Sequence, residues 1–229
     1  MCDLDETLLT SALMEVELPN RRFHDIIYTE MKNNPYIKGY FTKLRPNLNR
    51  FLTNMSKKYE LHVMTMGTKS YAKAMLKLID PGKKFFGNRI TTGEEIISGN
   101  KFEKTKDMFS DCDNMICVID DCTEVWDSND RVINIDPYTP LSDLKYLVNE
   151  KEYKFRHDLH TLVLESIKDN DNYLESLENT LTEIHETYFA SIDKQLMDAG
   201  FSTATADNLP KMEDIMRNNN NCPHHLFDQ

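Results

Sequence analysis

Asp3 and Asp5 stand two residues apart in the opening run Met1-Cys-Asp-Leu-Asp-Glu-Thr-Leu-Leu-Thr10. In a strand, residues i and i+2 point to the same side. Two carboxylates at the end of a strand then face one small volume, where they repel each other unless a proton or a cation shares the site. An acidic pair of this kind also occurs in ordinary surface turns. The segments that follow decide between the two settings.

Pro46 suits the first turn of a helix, and Leu48, Phe51, Leu52 and Met55 follow with helical spacing, ending near 57–59. Residues 61–66 form a short apolar run, expected as a buried strand closed by Gly67 and Thr68. Ser70 is the expected cap of the next helix, which carries Tyr71, Met75, Leu78 and Ile79 and stops at Asp80-Pro-Gly82. A short helix is expected over 101–109. Residues 115–119 make the clearest buried strand, closed by Asp120 and Asp121, and 131–135 read as one more. Strand, helix, strand alternation implies an α/β chain with a parallel sheet and helices on both faces.

Residues 11–40 lack long periodicity and read as a long connection with a short helix near 26–31. Beside an acidic motif such a loop is a candidate lid or substrate wall, with Arg21 and Arg22 as candidate contacts to a phosphorylated peptide. Past Pro140, residues 142–168 read as helical. Leu174, Leu177, Leu181, Ile184 and Tyr188 then recur at steps of three and four, a seam expected to pack onto the domain rather than into a dimeric coiled coil. Residues 201–229, with Asn218 to Asn221 and the run Cys222-Pro-His-His225, read as a disordered polar tail.

The 229 residues suffice for one domain with a smaller addition, and a net charge of −11 disfavours a nucleic-acid binder. No run of 18 apolar residues and no basic-then-apolar leader is present, so neither membrane nor secretory placement is expected. Five cysteines without a C-x-x-C pair fit reduced thiols of cytosol or nucleus.

Ligands of open α/β sheets bind outside the carboxyl ends of the strands. Asp3, Asp5, Thr65, a lysine ahead of the third strand, and Asp120 with Asp121 are expected to collect there. Carboxylates, a hydroxyl and an ammonium together suit phosphoryl transfer, with Mg²⁺ offsetting the repulsion between a carboxylate nucleophile and a phosphomonoester. One carboxyl must hold a proton near neutral pH to protonate the leaving oxygen.

Asp3-Leu-Asp-Glu-Thr-Leu8 resembles the aspartyl-phosphate motif of the haloacid dehalogenase superfamily. Lys43-Leu-Arg-Pro46, Tyr59 to Thr68, Tyr71-Ala72, Ile79-Asp-Pro81, Phe86 to Ile90 and Val118 to Trp126 resemble, in order, the phosphatases of the RNA polymerase II C-terminal domain, the large TFIIF-associated branch above all. The resemblance implies a haloacid-dehalogenase-like parallel sheet with flanking helices plus a C-terminal helical segment. It implies a phosphatase domain over 1–140 with a truncated first strand, a helical extension over 141–200 and a tail over 201–229.

Carried over residue by residue, Asp3 matches the nucleophile, and Asp5 the general acid that also lends its backbone carbonyl to Mg²⁺. Thr65 and Lys104 match the phosphate-binding pair, with Lys101 and Lys106 as rivals for the lysine. Asp121, with Asp3 and Asp5, matches the Mg²⁺ ligands, and Asp120 and Thr7 support them. The implied substrate is the phosphorylated C-terminal repeats of RNA polymerase II, with general transcription factors as further partners and a nuclear location.

Three departures stand beside this likeness. Only Met1 and Cys2 precede the first aspartate, residues 11–40 are short for the large branch, and no BRCT domain follows the helices. A truncated, catalytically impaired phosphatase fold that binds peptides or partners is the alternative, as in the related domain of a mitochondrial import receptor.

Overall fold

The computed structural model describes residues 1–14, 22–23, 25–31, 38–110, 115–127, 131–141, 169–199 and 209–218. The expected helix over 142–168, Arg21, the Arg22 side chain and the run 222–225 lie outside them.

Three residues serve as the central strand. Cys2 bridges Val63 on one side and Ile119 on the other, parallel to both. Cys2 N donates to His62 O at 2.8 Å and Met64 N to Cys2 O at 3.0 Å. On the other edge Ile119 N donates to Met1 O at 2.9 Å and Asp3 N to Ile119 O at 3.0 Å. Outward on one side lie β5 (Val63–Met64) and β6 (Ile90–Thr91), and on the other β7 (Val118–Asp120) and β8 (Val132–Asn134), all parallel. Successive residues face opposite cores, as a strand covered on both faces requires. Cys2, Val63, Ile119 and Ile133 join the larger apolar cluster, while Met64, Val118 and Val132 join a second one around Trp126.

The connection over 11–40 differs from the expectation. β1 (Leu9–Met14), β2 (Arg22–Phe23), β3 (Ile26–Glu30) and β4 (Gly39–Leu44) form an antiparallel sheet in the order β1-β4-β3-β2. Ile26 to Glu30 is therefore a strand, not a helix. Its β-branched and aromatic residues alternate, with Ile26 and Tyr28 buried, and pairing with β4 outweighs any helical tendency in so short a segment. The register Leu9↔Leu44 returns the chain to the acidic motif it left.

α1 (Leu48–Met55) buries Leu48, Phe51, Leu52 and Met55, the four expected from spacing. α2 (Lys69–Ile79) is capped by Thr68 rather than Ser70, because Thr68 is the residue with extended backbone, and its side chain accepts from Tyr71 N. α3 (Lys101–Met108) lies on the opposite face, where Thr105 reaches Met1 and Met64. A single 3-10 turn (Thr123–Val125) separates β7 from Trp126.

α4 (Tyr173–Ala199) lays Leu174, Leu177, Leu181, Ile184 and Tyr188 into the same cluster as the sheet and α1. The expected seam thus completes the domain's core. Asn54 Nδ2 donates to Glu178 Oε1 at 2.8 Å and Tyr59 OH to Leu181 O at 2.6 Å, fixing the register of α4 on α1 and on the segment that follows it. The expected disordered tail over 201–229 is corrected in part: Met212–Asn218 forms a helix, α5, that buries Met212, Ile215 and Met216 and pairs Glu213 with Arg131. Three apolar residues in a polar stretch are too few to mark a helix by themselves, and the contact with α4 and the core supplies the rest.

Ile184 is fully buried and Met197 is 78% exposed on the same helix. Ile184→Ala is expected to cost about 2–5 kcal/mol and Met197→Ala less than about 0.5 kcal/mol, read from urea denaturation midpoints.

Candidate active site

The chain winds outward from the central strand through β5 to β6 on one side and through β7 to β8 on the other. Such a reversal opens a crevice outside the strand ends. Two carboxylates reach it by strand periodicity. Asp3 and Asp120 each follow by two the residues Met1 and Val118, which face the side of α3.

Lys101 lies between them. Its Nζ is 2.6 Å from Asp3 Oδ1 and 2.6 Å from Asp120 Oδ2, and the side chain is almost wholly buried. Asp120 is bound further: Oδ2 accepts from Trp126 Nε1 at 3.0 Å and Oδ1 from Cys122 N at 2.9 Å. Lys101 opens α3 behind the cap Asn100, whose side chain accepts from Phe102 N and Glu103 N. A cation there opposes the helix macrodipole, so the carboxylates hold it against both dipole and burial. Their attraction raises its pKa despite the opposing pull of desolvation.

Of the three candidate lysines, Lys101 is the one that the structure brings to Asp3 and Asp120. Lys104, one turn along, is only partly buried, and its charge acts on Glu95. Lys106 is exposed and lies over the Phe102 ring. The physical reason is direction: only the first residue of α3 points back into the crevice.

Asp121 sits beside this group, its Oδ1 accepting from Thr7 Oγ1 at 2.8 Å. One carboxylate oxygen from each of Asp3, Asp120 and Asp121 lies within 4.8 Å of the other two. Hard oxygen donors at this spacing, with one ammonium among three carboxylates, fit a divalent cation such as Mg²⁺. Since both oxygens of Asp120 are already engaged, Asp3 and Asp121 are the better-placed side-chain ligands. Burial pushes the Asp3 carboxyl up to about 8, Lys101 pulls it down, and Asp120 and Asp5 add to the rise.

Asp5 turns to another element. The chain leaves the sheet after Asp3: Leu8 N and Leu9 N both donate to Leu4 O, and Glu6 takes a left-handed backbone conformation. The Asp5 carboxyl accepts from the Tyr71 hydroxyl on α2. Burial raises its pKa, Tyr71 lowers it, and Asp121 and Glu6 raise it. Thr65, also buried, follows β5 on the neighbouring strand and accepts from Gly67 N at 3.0 Å.

The motif loop is held from behind. Arg45 N donates to Leu8 O, Arg45 Nη1 to Thr7 O and Tyr138 N to Glu6 O. Sequence reasoning assigned no role to Tyr71, Trp126 or Arg45. One signal was readable: Tyr71 lies in the first turn of a helix that starts directly after a strand's carboxyl end, the turn that overlooks the crevice.

The family model of the NLI interacting factor-like phosphatases matches residues 1–160. An RNA polymerase II C-terminal domain phosphatase of Caenorhabditis elegans is 31% identical over 197 residues, covering 84% of this chain and 28% of that protein. The enzyme of the same name from Schizosaccharomyces pombe is 43% identical over 104 residues, covering 45% of this chain and 14% of that protein. The chain thus spans under a third of the length of these relatives. A solved structure of the fission yeast RNA polymerase II CTD phosphatase bound to beryllium fluoride superposes with a TM-score of 0.70 at 26% identity, covering 94% of this chain and 69% of that one.

Two outcomes follow from the buried charges. Lys101→Met leaves Asp3 and Asp120 without their cation and is expected to cost about 3–5 kcal/mol, while Lys104→Met stays within about 0.5 kcal/mol, by urea denaturation. With no cation bound, burial raises the Asp3 carboxyl from its ordinary 3.8 toward about 8. The metal-free folded state then binds protons more tightly than the unfolded chain, so stability in chelating buffer is expected to fall as pH rises through that window. Asp3→Asn is expected to flatten that slope.

Proposed function

The chain belongs to the NLI interacting factor-like phosphatase family, and on that premise we propose that it is a Mg²⁺-dependent protein-serine phosphatase working through an aspartyl-phosphate on Asp3. The observation that carries this reading is the buried set Asp3, Lys101 and Asp120, with Asp121 beside it, at the reversal of the sheet. The relatives' names support the phosphorylated C-terminal repeats of RNA polymerase II as substrate and the nucleus as the place of action.

In this reading the Asp3 carboxylate attacks phosphorus as the bond to the serine oxygen breaks, and the Asp5 carboxyl passes its proton to that oxygen. In the second step Asp5 takes a proton from water, whose oxygen attacks phosphorus and breaks the bond to Asp3. Burial supports Asp5 in this role, since it raises the carboxyl toward the range in which a proton is held and returned. Lys101 and the Thr65 hydroxyl bind phosphoryl oxygens, and Lys101 and Asp120 keep Asp3 oriented. Asp3 and Asp121, with the Asp5 backbone carbonyl that the family resemblance implies, would hold a divalent cation, which would supply positive charge against the doubly negative phosphoryl group. Thr7 fixes the Asp121 carboxylate from the motif side.

The test is hydrolysis of p-nitrophenyl phosphate by the chain with Mg²⁺, beside a chelator and an Asp3→Asn control. Turnover is expected to stop with chelator and to fall about a thousandfold or more in the variant. A folded chain without turnover would instead favour a peptide- or partner-binding role.

A further inference from the structure

A hydrogen-bonded chain leads from Asp5 into the antiparallel sheet, and the two steps above make no use of it. The Tyr71 hydroxyl meets Asp5 Oδ1 and lies 2.9 Å from Ser11 Oγ on β1. Ser11 Oγ lies 3.2 Å from Thr42 Oγ1 on β4. These contacts link α2, the motif turn and two strands of the antiparallel sheet through a chain of hydroxyls.

The tyrosine ring is held from several sides. Its backbone N donates to the cap Thr68 at 3.3 Å, and Tyr40 packs edge-on with ring centroids 4.9 Å apart. Gly67 lies against the ring: a Cβ there would come within 2.7 Å of a ring carbon, so a larger residue would displace it. Burial and the neighbouring Asp5 both raise the hydroxyl's pKa, so it keeps its proton and donates.

A carboxyl swings about its Cβ–Cγ bond unless one oxygen is tied. With Oδ1 tied to the tyrosine, Oδ2 is the oxygen left to face the leaving group. We propose that Tyr71 is a positioning residue that orients the Asp5 carboxyl for proton delivery, and so decides how well the chain cleaves esters with poor leaving groups. The assignment rests on the phosphatase reading. In the first step the Asp3 oxygen–phosphorus bond forms, the phosphorus–serine oxygen bond breaks, and the proton on Asp5 Oδ2 moves to the departing oxygen. Tyr71 keeps its own proton throughout. A serine alkoxide is a poor leaving group and needs that proton, whereas p-nitrophenolate departs with little help.

The experiment compares kcat/KM for a phosphoserine peptide and for p-nitrophenyl phosphate, since this ratio reports the step in which the leaving group departs. Tyr71→Phe keeps the ring and removes the hydroxyl. It is expected to lower kcat/KM about thirtyfold on the peptide, mainly through kcat, and less than about threefold on the aryl ester. Ser11→Ala disturbs the same hydroxyl from its far side and is expected to show the same preference, about threefold on the peptide. Equal losses on both substrates, a loss confined to peptide KM, or no loss would overturn the assignment while leaving the phosphatase reading standing. A folded wild-type chain inactive on both substrates would overturn that reading, and this assignment with it.

Discussion

A buried ammonium held between two buried carboxylates is the interaction around which the rest of the molecule is arranged. Lys101, Asp3 and Asp120 are each less than a tenth exposed, and they come from three separate elements. Removing the ammonium would leave two carboxylates unpaired out of water, where unpaired charge is far more costly than at a surface. The pairing therefore fixes the start of α3 against the ends of the central strand and β7. It also gathers more negative than positive charge at one point, the condition under which a divalent cation binds.

A second set of buried charges steadies the motif from behind. Arg45 is 2% exposed, forks onto both oxygens of Asp171 at 3.2 and 3.0 Å, and lies over the rings of Tyr138 and Tyr173. Lys43 pairs with Asp25 and Asp169, and Tyr138 donates to Asp169 at 2.5 Å. Asp169 and Asp171 lead into α4, so the residues just ahead of that helix bind Lys43 and Arg45, and Arg45 holds the Thr7 and Leu8 carbonyls. Helix and motif loop thereby share one frame, although they lie far apart in sequence.

Where short-range pattern governs, sequence and structure agree. α1, the core run at β7 and the seam of α4 rest on repeated apolar contacts that any partner surface would satisfy. They part at Ile26 to Glu30, where a five-residue segment takes its conformation from β4, and at α5, whose three buried residues mean little without α4 to cover them. The lysine is a finer case. Lys101, Lys104 and Lys106 differ little in composition or spacing, and which one points into the crevice depends on how α3, capped at Asn100, lies against the sheet.

By itself the sequence determined the alternation of strands and helices, the two faces of the parallel sheet and the presence of acidic residues at its strand ends. These follow from period and burial, which are local properties of the chain. Only the tertiary structure decided which groups meet. It set Lys101 rather than Lys104 between Asp3 and Asp120, turned Asp5 toward Tyr71, and seated α4 in the core. Such contacts depend on the direction of single side chains across elements far apart in the chain, and no local repeat encodes that direction.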